Sequence, residues 1–241
     1  MEYELIRGKV YYRFFDKTDK VSSGVYNIYT CVDDTKISEV KQNIDNIKTV
    51  MKAQDMFLLK QVHGSDVVLY NKTDEIIEAD ASVTSQKNII LAIKTADCVP
   101  VLLASSNGVI GAAHCGWRSA KADIIKNTVK MMRDMGADTI KSVIGPAIFQ
   151  QSYEVNPDFY NDFLIESKNN DIFFKPSINK NHFMFDLISY VKMKLSNENI
   201  EIVYDIAEDT YQMPEKYYSY RWLTHQQKTY NQNILSTIII R

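Results

Sequence analysis

Cysteine is too scarce here for a disulfide framework: the 241 residues contain three, an odd number. The chain opens MEYELIRGKVYY, charged from its second residue and without the basic, apolar and small-residue zones of a secretory signal. Three thiols in such a chain point to metal binding or catalysis in the cytoplasm rather than to secreted cross-links. Long hydrophobic runs are missing too. Nothing approaches the roughly 20 apolar residues a membrane helix needs, and the terminal Ile238-Ile239-Ile240 is only strand-sized. Neither sign of charge dominates, with 28 basic against 30 acidic residues, a net charge of −2 and a pI of about 6.1. Without a concentrated basic face, nucleic acid and membrane surfaces are poor partners and a small molecule is the better expectation. There is no internal repeat, no low-complexity linker, and no CxxC or HExxH module.

What is present is an ordinary globular composition, 45% hydrophobic and 24% charged, able to fill the core of a single domain over residues 1–241. Tyr3 to Phe15 reads as one or two strands at a sheet edge, closed by a turn at Ser22-Ser23-Gly24. Val40, Ile44, Ile47 and Met51 recur at helical spacing behind Ser38, a good cap. Phe57–Val62, Val67–Tyr70, Ile89–Ile93, Val99–Ala104, Val109–Ala113, Ile140–Ile144 and Ile200–Ile206 are short β-branched or aliphatic runs that suit strands. The spacing of Ile124, Ile125, Thr128, Val129, Met132 and Met135 predicts an amphipathic helix capped by Ser119 and stopped at Gly136. Asn156-Pro157 and Asp186 each open a further helix. Strands cluster between helices without regular alternation, so the fold class is α+β, with mixed β-sheets flanked by helices.

Three strand ends carry chemistry. His63 sits at a corner between strands, where Gly64 eases the turn; Cys98 lies in the pause Thr95-Ala96-Asp97-Cys98-Val99-Pro100; His114 ends another apolar run. Two imidazoles and a thiolate are borderline-soft donors that suit zinc, with copper as the alternative, and three protein ligands leave a position open for water or substrate. Dispersed ligands do not establish a metal by spacing alone. Cys115 follows His114 directly and, if the strand persists, points to the opposite face as a small core residue. His182 and His225 carry no pattern and read as surface or core histidines, while Asp80 and Asp97 suit the support of ligands. Arg118, just before the predicted helix, adds a guanidinium fork to helix N-terminal amides, a combination that attracts phosphate.

Lys60-Gln61-Val62-His63-Gly64, Ala79-Asp80-Ala81, Thr95-Ala96-Asp97-Cys98-Val99-Pro100 and His114-Cys115-Gly116-Trp117-Arg118 occur in this order, followed by Gly145-Pro146-Ala147-Ile148 and Tyr153-Glu154-Val155. Together they resemble the YfiH/LACC1 family of laccase-domain proteins, known both as multicopper polyphenol oxidases and as purine nucleoside phosphorylases. The resemblance implies a YfiH-like single domain, with zinc on His63, Cys98 and His114. It implies phosphorolysis of adenosine, inosine or methylthioadenosine, with adenosine deamination as a further activity. The residues it places against substrate are Gln61, Arg118, Tyr220 and Arg221, and the partners are a purine nucleoside and phosphate.

The chain also departs from that family. Asn27-Ile28-Tyr29-Thr30 and Asn43-Ile44 stand where the family has Ser-Leu-Asn-Leu-Gly and Asn-Arg. Trp222 replaces a second arginine after Tyr217-Tyr218-Ser219-Tyr220-Arg221, Asp209-Thr210 stands for Cys-Thr, and Tyr230-Asn231-Gln232 for Gly-Arg-Met. Peripheral cations are therefore lost while the donor set is kept. Competing readings of the same residues are a copper phenol oxidase, a cysteine hydrolase with Cys98 as nucleophile and His63 or His114 as base, and a zinc-binding protein of reduced activity.

Overall fold

The computed structural model describes residues 2–26, 34–72, 75–229 and 232–241. In chain order the strands are β1 (Tyr3–Ile6), β2 (Val10–Phe15), β3 (Asp55–Leu58), β4 (Val67–Leu69), β5 (Ala81–Thr84), β6 (Ile89–Thr95), β7 (Val99–Ser105), β8 (Ile110–Cys115), β9 (Ile140–Ile144), β10 (Glu154–Val155), β11 (Phe174–Pro176), β12 (Phe183–Phe185), β13 (Glu201–Asp205) and β14 (Ile234–Ile240). The helices are α1 (Asp34–Val50), α2 (Trp117–Lys121), α3 (Ile124–Asp134), α4 (Pro157–Glu166), α5 (Leu187–Asn197) and α6 (Tyr220–His225).

Two mixed sheets stack face to face. One has the order β1-β2-β14-β6-β3, the other β13-β9-β7-β8-β5-β4, and a small sheet β10-β12-β11 stands apart. Period-two alternation separates the strand faces. Leu91 and Ile93 of β6 meet Leu102, Ala104, Ile110, Ala112 and Ile238 between the two sheets. Ile90 and Ala92 turn the other way, onto Ile47 and Met51 of α1. On the far face of the six-stranded sheet, Val101, Leu103, Ala113 and Cys115 pack on Ile124, Val129 and Met132 of α3 and Val191 of α5. The result is a four-layer α-β-β-α arrangement, and strands β6, β7, β8 and β14 are buried along their whole length. That double coverage is why their sequences are near-continuous apolar runs rather than alternating ones. Gly145 is required where the layers meet, since a Cβ there would lie 2.4 Å from Phe14 and 2.7 Å from Pro100.

The α+β class and mixed sheets agree with the sequence, and the edge position of β1 does as well. Asn156 caps α4 by accepting from the Phe159 N–H at 2.9 Å, and Asp186 caps α5 by accepting from Ser189 at 2.9 Å. Other expectations need correction. Helix α1 starts at Asp34, so Ser38 lies inside it; no Gly or Pro in Asp34-Thr35-Lys36-Ile37 stops the helix from running back a turn. The helix expected from Ser119 is two helices: α2 has Gly116 as N-cap, and α3 begins only after Asp123, whose φ of 64° breaks the run. Ser119 is buried inside α2 and its hydroxyl caps nothing. Strand β3 ends at Leu58 rather than Val62. Among the described residues no helix is long and apolar enough to cross a membrane.

Candidate active site

The site lies where the chain crosses from one sheet to the other. Strand β6 belongs to the five-stranded sheet and β7 to the six-stranded one, and Ala96-Asp97-Cys98 is the crossing, with Asp97 at φ 94°. His63 comes off the end of β3 and has φ 60° itself, so the strain of that corner sits on the histidine and not on Gly64 as the sequence suggested. His114 lies within β8, one residue before the strand ends, and alternation turns it away from Cys115, which is fully buried against the α3 side.

One carboxylate positions this corner. Asp80 accepts from the backbone N–H groups of Val62 at 3.1 Å, His63 at 3.0 Å and Gly64 at 2.7 Å, and lies 2.7 Å from Nδ1 of His114. Burial would raise its pKa, but His114 and the amides outweigh this and hold it below the usual carboxylate value. With Nδ1 fixed by Asp80, the other ring nitrogen of His114 is left for a ligand. The ring centroids of His63 and His114 are 4.7 Å apart, and Cys98 Sγ lies 3.8 Å from His63 Nε2. One donor atom from each of the three residues falls within 4.8 Å of the others. A tetrahedral ion with bonds of about 2.1 Å to nitrogen and 2.3 Å to sulfur wants its donors roughly 3.5 Å apart, so this set could hold a metal. Gly116 keeps the space open: a Cβ there would lie 2.8 Å from the His63 ring and 3.1 Å from Cys98 Sγ. Burial raises the Cys98 pKa, but His114 and His63 bring it down to about 7; burial lowers that of His114, but Cys98 and Asp80 push it up to about 9. The pair is thus biased towards thiolate and imidazolium, the thiolate being the ligand-competent state of the cysteine.

The three donors open into a cavity of about 680 Å³, within the usual size range for small-molecule sites. Arg118 and Arg221 line it, each lying on a ring: Arg118 4.3 Å from the centroid of Trp117, Arg221 5.1 Å from that of Tyr153. Arg221 also donates to the Glu154 carbonyl at 2.8 Å. Their partners are rings and a carbonyl rather than carboxylates. The phosphate argument changes accordingly: with α2 only five residues long and separate from α3, the guanidinium of Arg118 stands without an extended helix terminus behind it. Tyr220 lines the mouth, 64% exposed. Gln61 also faces the cavity, but its amide is engaged at both ends, donating to the Lys94 carbonyl at 2.8 Å and accepting from the Lys94 N–H at 2.9 Å. It ties the His63 corner to β6.

Asp97 holds the opposite side of the crossing. Its carboxylate accepts from Thr210 Oγ1 and from the Arg221 N–H, both at 2.7 Å, which joins the Cys98 turn to the start of α6. His182 and His225 lie outside the site, as expected; His225 is 2.9 Å from the Tyr211 hydroxyl. Three departures from the family pattern have structural explanations. Asn43 donates to Val25 O and Ser23 Oγ and so fastens α1 to the Ser22-Ser23-Gly24 turn, Ile44 packs under α1, and Asp209 accepts from Ser152 Oγ at 2.6 Å. Positions 27–30 and 230–231 lie outside the described residues. Sequence reasoning missed Lys94, Thr95, Trp117, Tyr153 and Asn233, which also line the cavity. Lys94 had a signal, a lysine interrupting the apolar Ile89–Thr95 run; it is only 6% exposed, donates to the Leu59 carbonyl at 3.0 Å, and burial lowers its pKa to about 8.

Two stacked mixed sheets with a His-Cys-His donor set at their crossing define the structural class. The same fold occurs in the Neisseria meningitidis protein NMB0706, of the DUF152 family, with a TM-score of 0.83 and 21% identity over 100% of this chain and 98% of that one. It occurs also in YfiH of Bacillus licheniformis, with a TM-score of 0.81 and 22% identity over 96% and 93% of the two chains. Residues 12–238 match the family described as multi-copper polyphenol oxidoreductase laccase, and the chain belongs to that family. Among curated proteins, it is 48% identical to a purine nucleoside phosphorylase of Rickettsia conorii over 98% of this chain and 99% of the relative. A purine nucleoside phosphorylase of Rickettsia prowazekii is 44% identical over the same shares.

Proposed function

We propose that this protein is a zinc-dependent purine nucleoside phosphorylase, converting adenosine, inosine or methylthioadenosine and phosphate to free base and ribose 1-phosphate. The observation that carries this reading is the meeting, in one cavity, of a three-donor metal set with two arginines that no carboxylate neutralises among the described residues. The full-length similarity to two proteins named purine nucleoside phosphorylase supports it. In phosphorolysis a phosphate oxygen bonds to C1′ as the C1′–N9 bond breaks, and the purine leaves with the electron pair and takes up a proton. Arg118 and Arg221 suit the phosphate, because a planar guanidinium fork binds such oxyanions bidentately. Trp117 and Tyr153 hold those forks in place from below. Asp80 fixes His114 and the His63 corner, so that the donor set needs no rearrangement when substrate arrives.

When bound by His63, Cys98 and His114, zinc would supply Lewis-acid polarisation of a substrate oxygen. The donor chemistry favours zinc over the copper of the family's name. Two imidazoles and a thiolate suit zinc, the cavity lining contains no methionine, and the described residues contain a single such group. Adenosine deamination is a second reading, favoured by the coordination position that three protein ligands leave open.

Arg118→Lys tests the assignment, because it keeps the charge and removes the fork. The KM for phosphate should rise about tenfold or more while the KM for nucleoside and the zinc content stay near wild type. An unchanged phosphate KM would make Arg118 a structural residue.

A further inference from the structure

The cavity has two walls of different chemistry. On the side of the six-stranded sheet stand Trp117 with Arg118 and Tyr153 with Arg221. On the side of the five-stranded sheet, the end of β6 and the approach to β14 supply Lys94, Thr95 and Asn233. These strands pair with Ile234 opposite Thr95, which sets Asn233 beside the end of β6 although it lies near the other end of the chain. Among the described residues, two cavity-lining side chains carry a buried polar atom without a hydrogen-bond partner, Oγ1 of Thr95 and Oδ1 of Asn233. Thr95 is 2% exposed.

A buried polar atom left unpaired is destabilising, and native structures keep few of them. Two on one wall of a ligand-sized cavity mark a surface that finds its partners in what fills the cavity. An amide oxygen facing inward repels a phosphate, which offers only acceptors. Whichever way the Asn233 amide is turned, it presents both a donor and an acceptor. The threonine hydroxyl does the same, and the Lys94 ammonium beside them is a donor only. A wall of mixed donors and acceptors matches the edge of a nucleobase. The neighbouring Gln61 amide, locked at both ends to the Lys94 backbone, keeps that wall in place.

We propose that Thr95 and Asn233 form the base-reading subsite of this cavity, hydrogen-bonding N1 and the 6-substituent of the purine. This rests on the phosphorylase reading and adds an orientation to it: base against the five-stranded sheet, phosphate against Arg118 and Arg221, and ribose between them at the donor set. It also makes Thr95 and Asn233 specificity residues, since a site built to hydrogen-bond a group discriminates against analogues that lack it.

The test is equilibrium binding, by calorimetry, of inosine, of purine riboside (which has no 6-substituent) and of inorganic phosphate to the wild-type protein, Asn233→Leu and Thr95→Val. The wild type should bind inosine about tenfold tighter than purine riboside. Asn233→Leu should lose that difference through inosine alone, and both variants should bind phosphate as the wild type does. Thr95→Val is isosteric and removes an unpaired buried hydroxyl, so it should melt no lower than wild type while binding inosine several-fold more weakly. If both variants bind inosine like the wild type, or lose phosphate instead, the base assignment is wrong and the phosphorylase reading stands. Failure of the wild type to bind either nucleoside would overturn both.

Discussion

Asp80 accepts hydrogen bonds from three consecutive backbone amides and faces Nδ1 of His114, so one side chain orients two of the three metal-donor candidates. Asp80→Asn keeps the size but puts N–H groups against N–H groups. Zinc affinity should fall about 10- to 100-fold, the usual effect of losing such a support, as read by competition with a chelator; unchanged affinity would contradict the geometry. Lys94 makes a different prediction. Its pKa is 10.5 in an open chain and about 8 when buried here. Between those values the unfolded chain binds more protons, so stability attributable to this residue rises with pH through that window. Lys94→Met should therefore be more stable than wild type at pH 7, by up to about 3 kcal/mol from a shift of this size, with the advantage shrinking towards pH 10.5. Urea unfolding at the two pH values checks this. His63, Cys98 and His114 were legible in the sequence because each follows or ends an apolar run. Thr95 and Asn233 were not, because their juxtaposition depends on the pairing of β6 with β14.

At the scale of elements, the buried strands were readable because coverage on both faces writes itself as unbroken apolar sequence. Helix boundaries were harder. The break between α2 and α3 depends on Asp123 adopting a positive φ that its sequence neighbours do not announce, and the early end of β3 reflects the Gln61 side chain taking over contacts to β6 that backbone pairing would otherwise make. Asp97 shows how elements are joined across the site, accepting from Thr210 and from the first turn of α6. Asp97→Asn should weaken that joint. The expected outcome is a loss of about 1–3 kcal/mol in stability, the range for leaving a buried polar group unpaired, and a raised KM for phosphate through displacement of Arg221, with zinc content retained. Loss of zinc in this variant would mean that Asp97 supports the Cys98 turn more than it supports α6.

The whole molecule is two sheets stacked between helices, and its candidate site sits where the chain passes from one sheet to the other. The α+β class could be read from the clustering of strands. The cavity could not, since its walls come from segments between Lys60 and Asn233 that only the stacked sheets bring together. The central claim is that the donor set and the two arginines serve one reaction, transfer of ribose from a purine to phosphate. Incubation of the purified protein with inosine and with adenosine, with and without phosphate, tests it most directly. The account predicts free base and ribose 1-phosphate only when phosphate is present; base released equally without phosphate, or no base released from either nucleoside, would contradict it.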